Sequence, residues 1–214
     1  AEARRIEKRV QEESQKLDRE IALFAVGHLV QNLVDKYADH NSVTEHLKAV
    51  QKDIIENIQI FKADEDSTVE FMGMKIPVQQ AYEKYRVNVV VDNSETEGAP
   101  VVGERNPTYY NLLGQLEYRA QFGGMTTDFS MIKPGAMNRA NGGYLILQVL
   151  EVLRNPFAWE GLKRALRTGQ VKIENMWEQY RPIPAATLRP EPVPVDVKVI
   201  LVGTPFLYHL LYSL

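Results

Sequence analysis

Two short patterns in this sequence have the spacing of catalytic motifs. Ser130 and Lys133 stand three positions apart, the spacing with which a lysine activates a serine nucleophile in penicillin-recognising enzymes. That chemistry also requires a Ser-Asp-Asn and a Lys-Thr-Gly motif, and neither occurs in the 214 residues. We therefore interpret the Ser-x-x-Lys spacing as a chance match between common residue types.

The second pattern has the glycine spacing of a phosphate-binding loop, with Gly98 and Gly103 five positions apart. Such a loop needs a lysine and then a serine or threonine directly after the second glycine, to reach the phosphates and the magnesium ion. Glu104 and Arg105 occupy those positions, and the Glu104 carboxylate would repel a phosphate. Pro100 also removes one of the backbone N–H groups that would cradle it. This loop is not predicted to bind a nucleotide.

Other chemistries are limited by composition. The chain contains no cysteine, which excludes disulfides, cysteine-ligated metals and thiol nucleophiles. None of the four histidines has the spacing of a metal-binding motif, so no metal site is predicted. They are His28, His40, His46 and His209.

Charge and hydropathy limit the partners. The net charge of −3 gives no basic field for nucleic acid. The charged first residues contain no signal peptide, and no stretch approaches the roughly 18 apolar residues of a membrane span. We expect a cytoplasmic protein that binds neither nucleic acid nor membrane.

The chain is predicted to consist of a helical arm followed by an α/β part. Residues 1–64 are predicted to form an antiparallel helical hairpin or coiled-coil arm, in which Ile6, Val10, Leu17 and Ile21 recur at steps of 4, 7 and 4. The second helix is predicted to begin with a capping box at Ser42 and to continue to residue 61. The simplest interpretation of such an arm is a purely mechanical role, as a spacer or a packing element.

Residues 65–214 change from helical to α/β patterning. Buried strands are predicted at 87–91, 144–147 and 197–202, with a basic amphipathic helix over 159–168. Alternating apolar strands and helices predict a parallel α/β sheet. The small number of strands and the apolar run over 206–214 lead us to expect a piece of a larger protein.

Several long runs resemble bacterial Lon-like proteases of the AAA+ class. The stretch from Val91 to Val101 contains the NSETEGAPV signature of that family. Further runs of similarity cover residues 106–114, 127–136, 139–147, 155–160 and 163–167, and residues 17–29 resemble the helical insertion of the family. The resemblance implies an internal segment of such a protein, formed by the insertion and the second half of a three-layer ATPase core.

This layout implies that the segment has no complete catalytic site. The phosphate loop and the serine–lysine protease domain of the family would both lie outside it, and no cofactor is expected to bind within it. Residues 171–195 resemble the β-hairpin that precedes the nucleotide-sensing strand, and Thr204 would be the sensor-like residue after that strand.

One departure from the family pattern bears on ATP hydrolysis. Working members have an acidic residue where this chain has Gln148, at the end of the strand over 144–147. An amide binds magnesium poorly and cannot act as a base. Asn138 also stands where the family usually has a histidine. The resemblance therefore favours a degenerate, ATP-independent peptidase, with ATP and magnesium in the parent protein as the alternative.

The resemblance also implies how such a module works. The parent would be a ring, usually a hexamer, whose ATPase-like layer grips unfolded polypeptide and feeds it to a protease chamber. Candidate gripping residues are Phe122, Met125, Tyr109 and Tyr110, although glycines beside Phe122 are equally typical of an ordinary turn next to a core residue. Two alternatives are a segment of another AAA+ remodelling ATPase, of chelatase or helicase type, and a helical interaction module.

Overall fold

The chain folds into two compact units. The computed structural model describes residues 2–63, 68–71, 74–121, 124–175 and 188–213. The first unit is Ala1–Val87 and the second is Asn88–Leu214. The sequence predicts a boundary after residue 64; the first unit extends to Val87 and includes Tyr82 and Tyr85, which contact Phe61.

The first unit is built on an antiparallel helical hairpin. Helix α1 (Glu2–Lys36) is followed by α2 (Asn41–Glu56) and the short α3 (Ile58–Lys62). The capping box predicted at Ser42 is wrong: α2 begins at Asn41, and His40 at its N-cap makes no side-chain hydrogen bond to the helix. The predicted continuous second helix is interrupted at Asn57, whose side chain donates a hydrogen bond to the Asp53 carbonyl at 2.9 Å.

Only one face of α1 is covered by the other helices. Its least exposed positions recur every fourth residue, and Ala22 and Val30 among them are buried. The spacing matches a single helical stripe. Most other apolar side chains of α1 remain exposed. These exposed residues are Ile6, Val10, Leu17, Ile21, Leu23, Phe24, Leu29 and Leu33.

A small hairpin and a short helix complete the first unit. Strand β1 (Thr68–Phe71) pairs antiparallel with β2 (Met74–Pro77), and α4 (Val78–Tyr82) leads into a 3-10 turn at Glu83–Tyr85. The ring of Phe61 lies 5.2 Å from that of Tyr82 and 5.5 Å from that of Tyr85. These aromatic contacts join the end of the helical hairpin to α4.

A carboxylate clamp fixes the same end of the unit. The Tyr85 hydroxyl donates a hydrogen bond of 2.6 Å to Asp53, which also forms an ion pair with Lys84. Burial and the bond to Asp53 raise the pKa of Tyr85. Burial would raise the pKa of Asp53, but the hydrogen bonds from Lys84 and Tyr85 outweigh it and hold that pKa below its ordinary value.

The second unit is an α/β domain. Its described strands and helices are, in chain order, β3 (Val101–Glu104), α5 (Tyr109–Leu113), β4 (Gln115–Leu116), β5 (Arg119–Gln121), β6 (Gly124–Thr126), β7 (Ile132–Lys133), α6 (Ala136–Arg139), β8 (Tyr144–Gln148), α7 (Val149–Leu153), α8 (Pro156–Thr168), β9 (Gln170–Val171), β10 (Val193–Pro194), β11 (Lys198–Val202) and α9 (Pro205–Tyr212).

Three parallel strands form the sheet at the centre of this unit. Their order is β11-β8-β3, with Tyr144 opposite both Lys198 and Val101. Two of the three predicted strands are present as β8 and β11. The sheet order confirms the predicted α/β class with parallel strands.

The third predicted strand, over residues 87–91, is wrong. These residues form no strand, and Val87 and Val89 are 83% and 66% exposed. Val101–Glu104 pairs with β8 instead. A short β-branched run predicts an extended segment, but only an available neighbour decides whether it joins a sheet.

Helices cover the sheet and form the core. Helix α8 turns Ala158, Gly161, Leu162 and Ala165 inward, at spacings of three, one and three residues. It ends at Gly169, which adopts the left-handed conformation with φ 65°. The largest fully buried side chains of this unit include Leu112, Leu113, Met137, Leu145, Leu147 and Leu162.

The second unit also contains three antiparallel strand pairs among its described residues. Strand β4 pairs with β7, and β5 pairs with β6. Strand β9 pairs with β10, with Val171 opposite Val193. These two strands lie at the ends of the hairpin predicted over 171–195, of which residues 176–187 are outside the described part. In the ranges that are described, no helix has both the length and the apolar character needed to span a membrane.

Candidate functional site

The carboxyl ends of the three parallel strands meet at one edge of the sheet. Glu104 ends β3, Gln148 ends β8, and Thr204 follows β11 by two residues. The register places Gln148 opposite Val202 and Leu147 opposite Glu104, so these three polar residues share one edge. Open α/β sheets bind ligands at this edge.

Gln148 presents a neutral amide at the middle of this edge. It is exposed and stands at the N-cap of α7, where it forms no side-chain cap hydrogen bond. Thr204 holds the equivalent position before α9 and likewise forms no side-chain cap bond. Neither side chain carries a charge, so the ends of β8 and β11 provide no anionic ligand for a cation at this edge.

The acid at the end of β3 is already held by the protein. Glu104 Oε2 accepts a hydrogen bond of 3.3 Å from the Arg139 guanidinium, and its Oε1 accepts one of 2.9 Å from the Asn106 backbone N–H. Its side chain is 17% exposed. Arg139 also donates to the Pro134 carbonyl at 3.3 Å, which fixes the guanidinium in place. Both carboxylate oxygens of Glu104 are therefore engaged.

The next acid along the chain is also paired. Glu151 lies on α7, three residues after Gln148, and forms an ion pair of 2.7 Å with Arg154. Magnesium prefers carboxylate oxygens with free lone pairs, usually with water completing an octahedron. The groups at this edge do not fit it, and the described stretches contain no cluster of three or more acidic or histidine residues that could hold a metal ion.

The amino end of the sheet is braced by the run from residue 139 to residue 144. Asn141 donates to the Pro194 carbonyl at 3.2 Å and accepts from the Asp196 backbone N–H at 2.8 Å. Gly143 lies so close to Pro100 that a Cβ would come within 2.1 Å of its carbonyl oxygen. Residues 139–144 therefore hold the three parallel strands at a fixed spacing at their amino ends. The same strands carry the polar residues of the carboxyl edge, so that edge is held in place as well.

A β-hairpin carries one candidate residue for polypeptide contact. In the β5–β6 pair, Met125 lies opposite Ala120 and is 50% exposed. Glu117 N donates to the Met131 carbonyl at 3.0 Å, which ties the hairpin base together. Phe122, the other candidate of this segment, lies outside the described residues.

The central sheet lies within a stretch of the chain that matches a known protein family. Residues 97–214, more than half of the chain, match the family described as LonB-like AAA domain. The chain belongs to the LonB-like AAA domain family. Every residue of the sheet edge described above lies within the matched stretch, whereas the helical hairpin lies before it.

Curated proteins and solved structures do not extend this family match. No curated protein matches it significantly. A solved structure, that of NtrX from Brucella abortus, is similar over 80% of this chain and 38% of its own, with 16% sequence identity and a TM-score of 0.33. The LonB-like chain thus covers well under half of NtrX, and a likeness at this TM-score carries no argument about fold or function.

The two tyrosines proposed for gripping lie in different surroundings from Met125. In the LonB-like domain Tyr109 is 8% exposed, and its ring packs at Gly161, where a Cβ would come within 3.1 Å of it. Its hydroxyl accepts a hydrogen bond of 3.1 Å from Arg164. Tyr110 is half-buried and donates to Asn175 at 3.2 Å. Tyr109 is part of the core and Tyr110 packs against it, so neither tyrosine is free to grip a polypeptide.

Arg164 connects these tyrosines to a charged cluster. It forms an ion pair of 3.0 Å with Glu174, which also pairs with Lys172 at 2.9 Å. Burial raises the pKa of Tyr109, and the negative charge of Glu174 adds to that rise. Burial would raise the pKa of Glu174, but the bonds from Lys172 and Arg164 hold it below its ordinary value.

Some residues of the LonB-like edge were not found from the sequence. Arg139 and Glu104 are 35 positions apart, and no local pattern indicates that they pair. The roles of Asn141 and Gly143 in bracing the strands at the amino end of the sheet also depend on the fold.

Proposed function

We propose that this chain is the ATPase-like module of a Lon-like serine peptidase, and that it recognises unfolded polypeptide and delivers it to a protease chamber formed by another part of the same protein. The family match supports the AAA+ part of this proposal. The observation that carries the choice of mechanism is Gln148, a neutral amide at the end of the central strand.

The charge at the sheet edge favours a mechanism without ATP hydrolysis. Transfer of a γ-phosphoryl group requires magnesium and a group that positions the attacking water. Gln148 supplies no negative charge, and the two nearby acids, Glu104 and Glu151, are each paired with an arginine. Freeing either acid would leave its arginine without that partner. The module thus acts as a recognition layer, and the polypeptide moves into the chamber without a hydrolytic cycle at this edge.

Polypeptide contact is assigned to the β5–β6 hairpin. Its exposed Met125 offers a flexible, polarizable side chain that adapts to many sequences. Phe122, three positions earlier, would add an aromatic contact in the same segment. We propose that the parent protein assembles as a ring, which would repeat this hairpin around a central pore.

The nucleotide part of the proposal is tested on the full-length parent. Degradation of a permanently unfolded polypeptide is measured with ATP and magnesium, with EDTA alone, and with a non-hydrolysable ATP analogue. We expect equal rates in all three conditions. A rate that rises severalfold only with hydrolysable ATP would show that the Gln148 edge supports hydrolysis and would refute the mechanism.

The gripping role is tested with matched apolar truncations. Met125→Ala and Phe122→Ala in the parent are each expected to slow degradation of the unfolded polypeptide severalfold. Cleavage of a short, freely diffusing peptide should not change, because it needs no gripping. Leu166→Ala, at a 46% exposed position on α8, serves as the control and should leave both rates unchanged. Equal loss in the control, or no loss in either hairpin variant, would remove the hairpin from this role.

A further inference from the structure

A groove on the helical hairpin has properties that the proposed function does not use. It runs between α1 and α2 with a volume of about 540 Å³, and its lining includes Arg19, Leu23, Lys48, Lys52, Ile55 and Glu56. We refer to these residues as the basic groove. They belong entirely to the first unit, outside the stretch that matches the LonB-like AAA family.

Apolar side chains from both helices meet in the basic groove. Gly27 lies beside Gln51, since a Cβ there would be 3.6 Å from its Nε2, and Gln59 donates to Asp18 at 3.2 Å. In an antiparallel pair this register puts Leu23 across from Ile55. Leu23 is 52% exposed, so the groove offers an uncovered apolar surface at its centre.

Positive charge lies on both sides of this apolar centre. Arg19 is one turn from Leu23 on α1, and Lys48 and Lys52 are one turn apart on α2, about 6 Å along the axis. The acid Glu56 reaches Lys52 only at 4.0 Å. Within the described part of the chain, Arg19 and Lys48 have no ion-pair partner. A locally cationic groove therefore lies on a chain of net charge −3.

We propose that the basic groove binds an acidic amphipathic α-helix of a partner protein. The groove between two antiparallel helices accommodates a third helix, whose apolar side chains enter between them. Two carboxylates one turn apart on that helix would match the spacing of Lys48 and Lys52, and an apolar residue between them would contact Leu23 and Ile55.

The same features disfavour nucleic acid as the occupant. Affinity for nucleic acid comes mainly from cations that neutralise several successive phosphates. The basic groove has three cations around an apolar centre, and a phosphate backbone would leave Leu23 without an apolar contact. The combination of charge and apolar surface fits an amphipathic peptide better.

The test uses the 214-residue chain and a defined probe. The probe is a fluorescent helical peptide of about 15 residues with leucines on one face and glutamates one turn apart beside them. Binding is followed by fluorescence anisotropy at low and high salt. The comparison peptide replaces each glutamate by glutamine, and a duplex DNA of similar length serves as a second probe.

Charge reversal locates the binding surface. The double variant Lys48→Glu/Lys52→Glu is expected to weaken the acidic peptide at least about tenfold, equivalent to about 1.4 kcal/mol. Lys16→Glu, an exposed position of α1 outside the groove, makes the same kind of charge change and should alter affinity less than about twofold. Leu23→Ser tests the apolar centre separately and should also weaken binding. Glutamate and lysine have similar helix propensities, so circular dichroism of the charge-reversal variants should match the original chain.

Four results would overturn the proposal. They are equal affinity for the glutamine peptide, equal weakening by Lys16→Glu, tighter binding of DNA that depends on Lys48 and Lys52, and no peptide binding up to about 1 mM. None of these results bears on ATP dependence or on the β5–β6 hairpin. The groove and the proposed function can therefore fail independently.

Discussion

The close approach of Gly143 to Pro100 gives a prediction whose magnitude follows from the geometry. A methyl group at position 143 would lie 2.1 Å from the Pro100 carbonyl oxygen and 2.8 Å from its nitrogen. The same carbonyl accepts the Tyr144 N–H at 2.8 Å, at the start of the β3–β8 pairing, and Lys198 N donates to the Gly143 carbonyl at 2.9 Å. The backbone at this position is therefore held from both neighbouring strands.

Gly143→Ala should cost about 3 kcal/mol of unfolding free energy. Overpacking typically costs about 1–3 kcal/mol, and each strand hydrogen bond that lengthens as the backbone moves contributes roughly 1 kcal/mol more. Gly142→Ala is the matched control. Gly142 has φ 79° and open space around its Cβ position, so only the left-handed conformation is penalised, at about 1–2 kcal/mol.

Denaturant unfolding followed by tryptophan fluorescence measures this difference. Both tryptophans, Trp159 and Trp177, belong to the second unit, so the signal reports the unit that contains the sheet. Gly143→Ala should lower the midpoint clearly more than Gly142→Ala, with an unchanged slope. If Gly143→Ala unfolds at the same denaturant concentration as its control or as the original chain, the close approach does not constrain the sheet.

Three further predictions concern packing, charge and the sheet edge. Leu162→Ala removes a fully buried side chain of the core and should lower the unfolding free energy by about 2–5 kcal/mol in the same fluorescence assay. The pKa of Asp53 lies below its ordinary value of 3.8, so its ionised clamp stabilises the first unit above about pH 4 and loses that effect as pH falls through the lowered pKa. Asp53→Asn should therefore reduce helical stability, measured by circular dichroism at neutral pH, and remove this part of the acid transition. Strand β11 stands at one edge of the described three-stranded sheet, and its Ile200, Leu201 and Val202 are 44%, 36% and 44% exposed. We therefore expect the 214-residue chain to self-associate through this strand, and Val202→Lys should weaken that association at least about tenfold in sedimentation experiments.

Each of these predictions has a result that contradicts it. For Leu162, the control is Leu166→Ala on the same helix, which should stay within about 0.5 kcal/mol of the original chain, and similar losses in both would deny that burial sets the cost. For Asp53, an acid transition identical in the two proteins would show that the clamp contributes nothing. For Val202, equal association of variant and original chain would place self-association elsewhere.

Local sequence patterns correctly predicted those elements that are defined by their own residues. Helix α8 was predicted to stop at Gly169, and it does, because a glycine adopts the left-handed conformation there at little cost. The apolar runs at β8 and β11 were also found, since strands buried in a parallel sheet are apolar along their length. Helix α5 likewise ends at Leu113, because Gly114 takes φ 96° and the chain then enters β4.

Elements that depend on distant neighbours were predicted poorly. Val87–Val91 and Val101–Glu104 both contain valines, and only the pairing with β8 decides which of them becomes a strand. At the sheet edge, Gln148 was identified because it stands at the end of a predicted strand where the family that the sequence resembles has an acidic residue. The pairing of Glu104 with Arg139 could not be predicted, because their proximity exists only after the strand and α6 are in place.

The length of α1 has a consequence for the local dynamics of the first unit. With 35 residues it extends about 52 Å, whereas its 16-residue partner α2 extends about 24 Å. Among the described residues, the amino-terminal turns beyond the Asp18–Lys62 contact have few neighbours, and the ion pairs there are exposed ones such as Lys8–Glu12. Isolated helical turns of this length are marginal in water. Amide hydrogens should therefore exchange with solvent progressively faster from Ala22 towards the start of the helix, so that its tip opens and closes many times while its base stays folded.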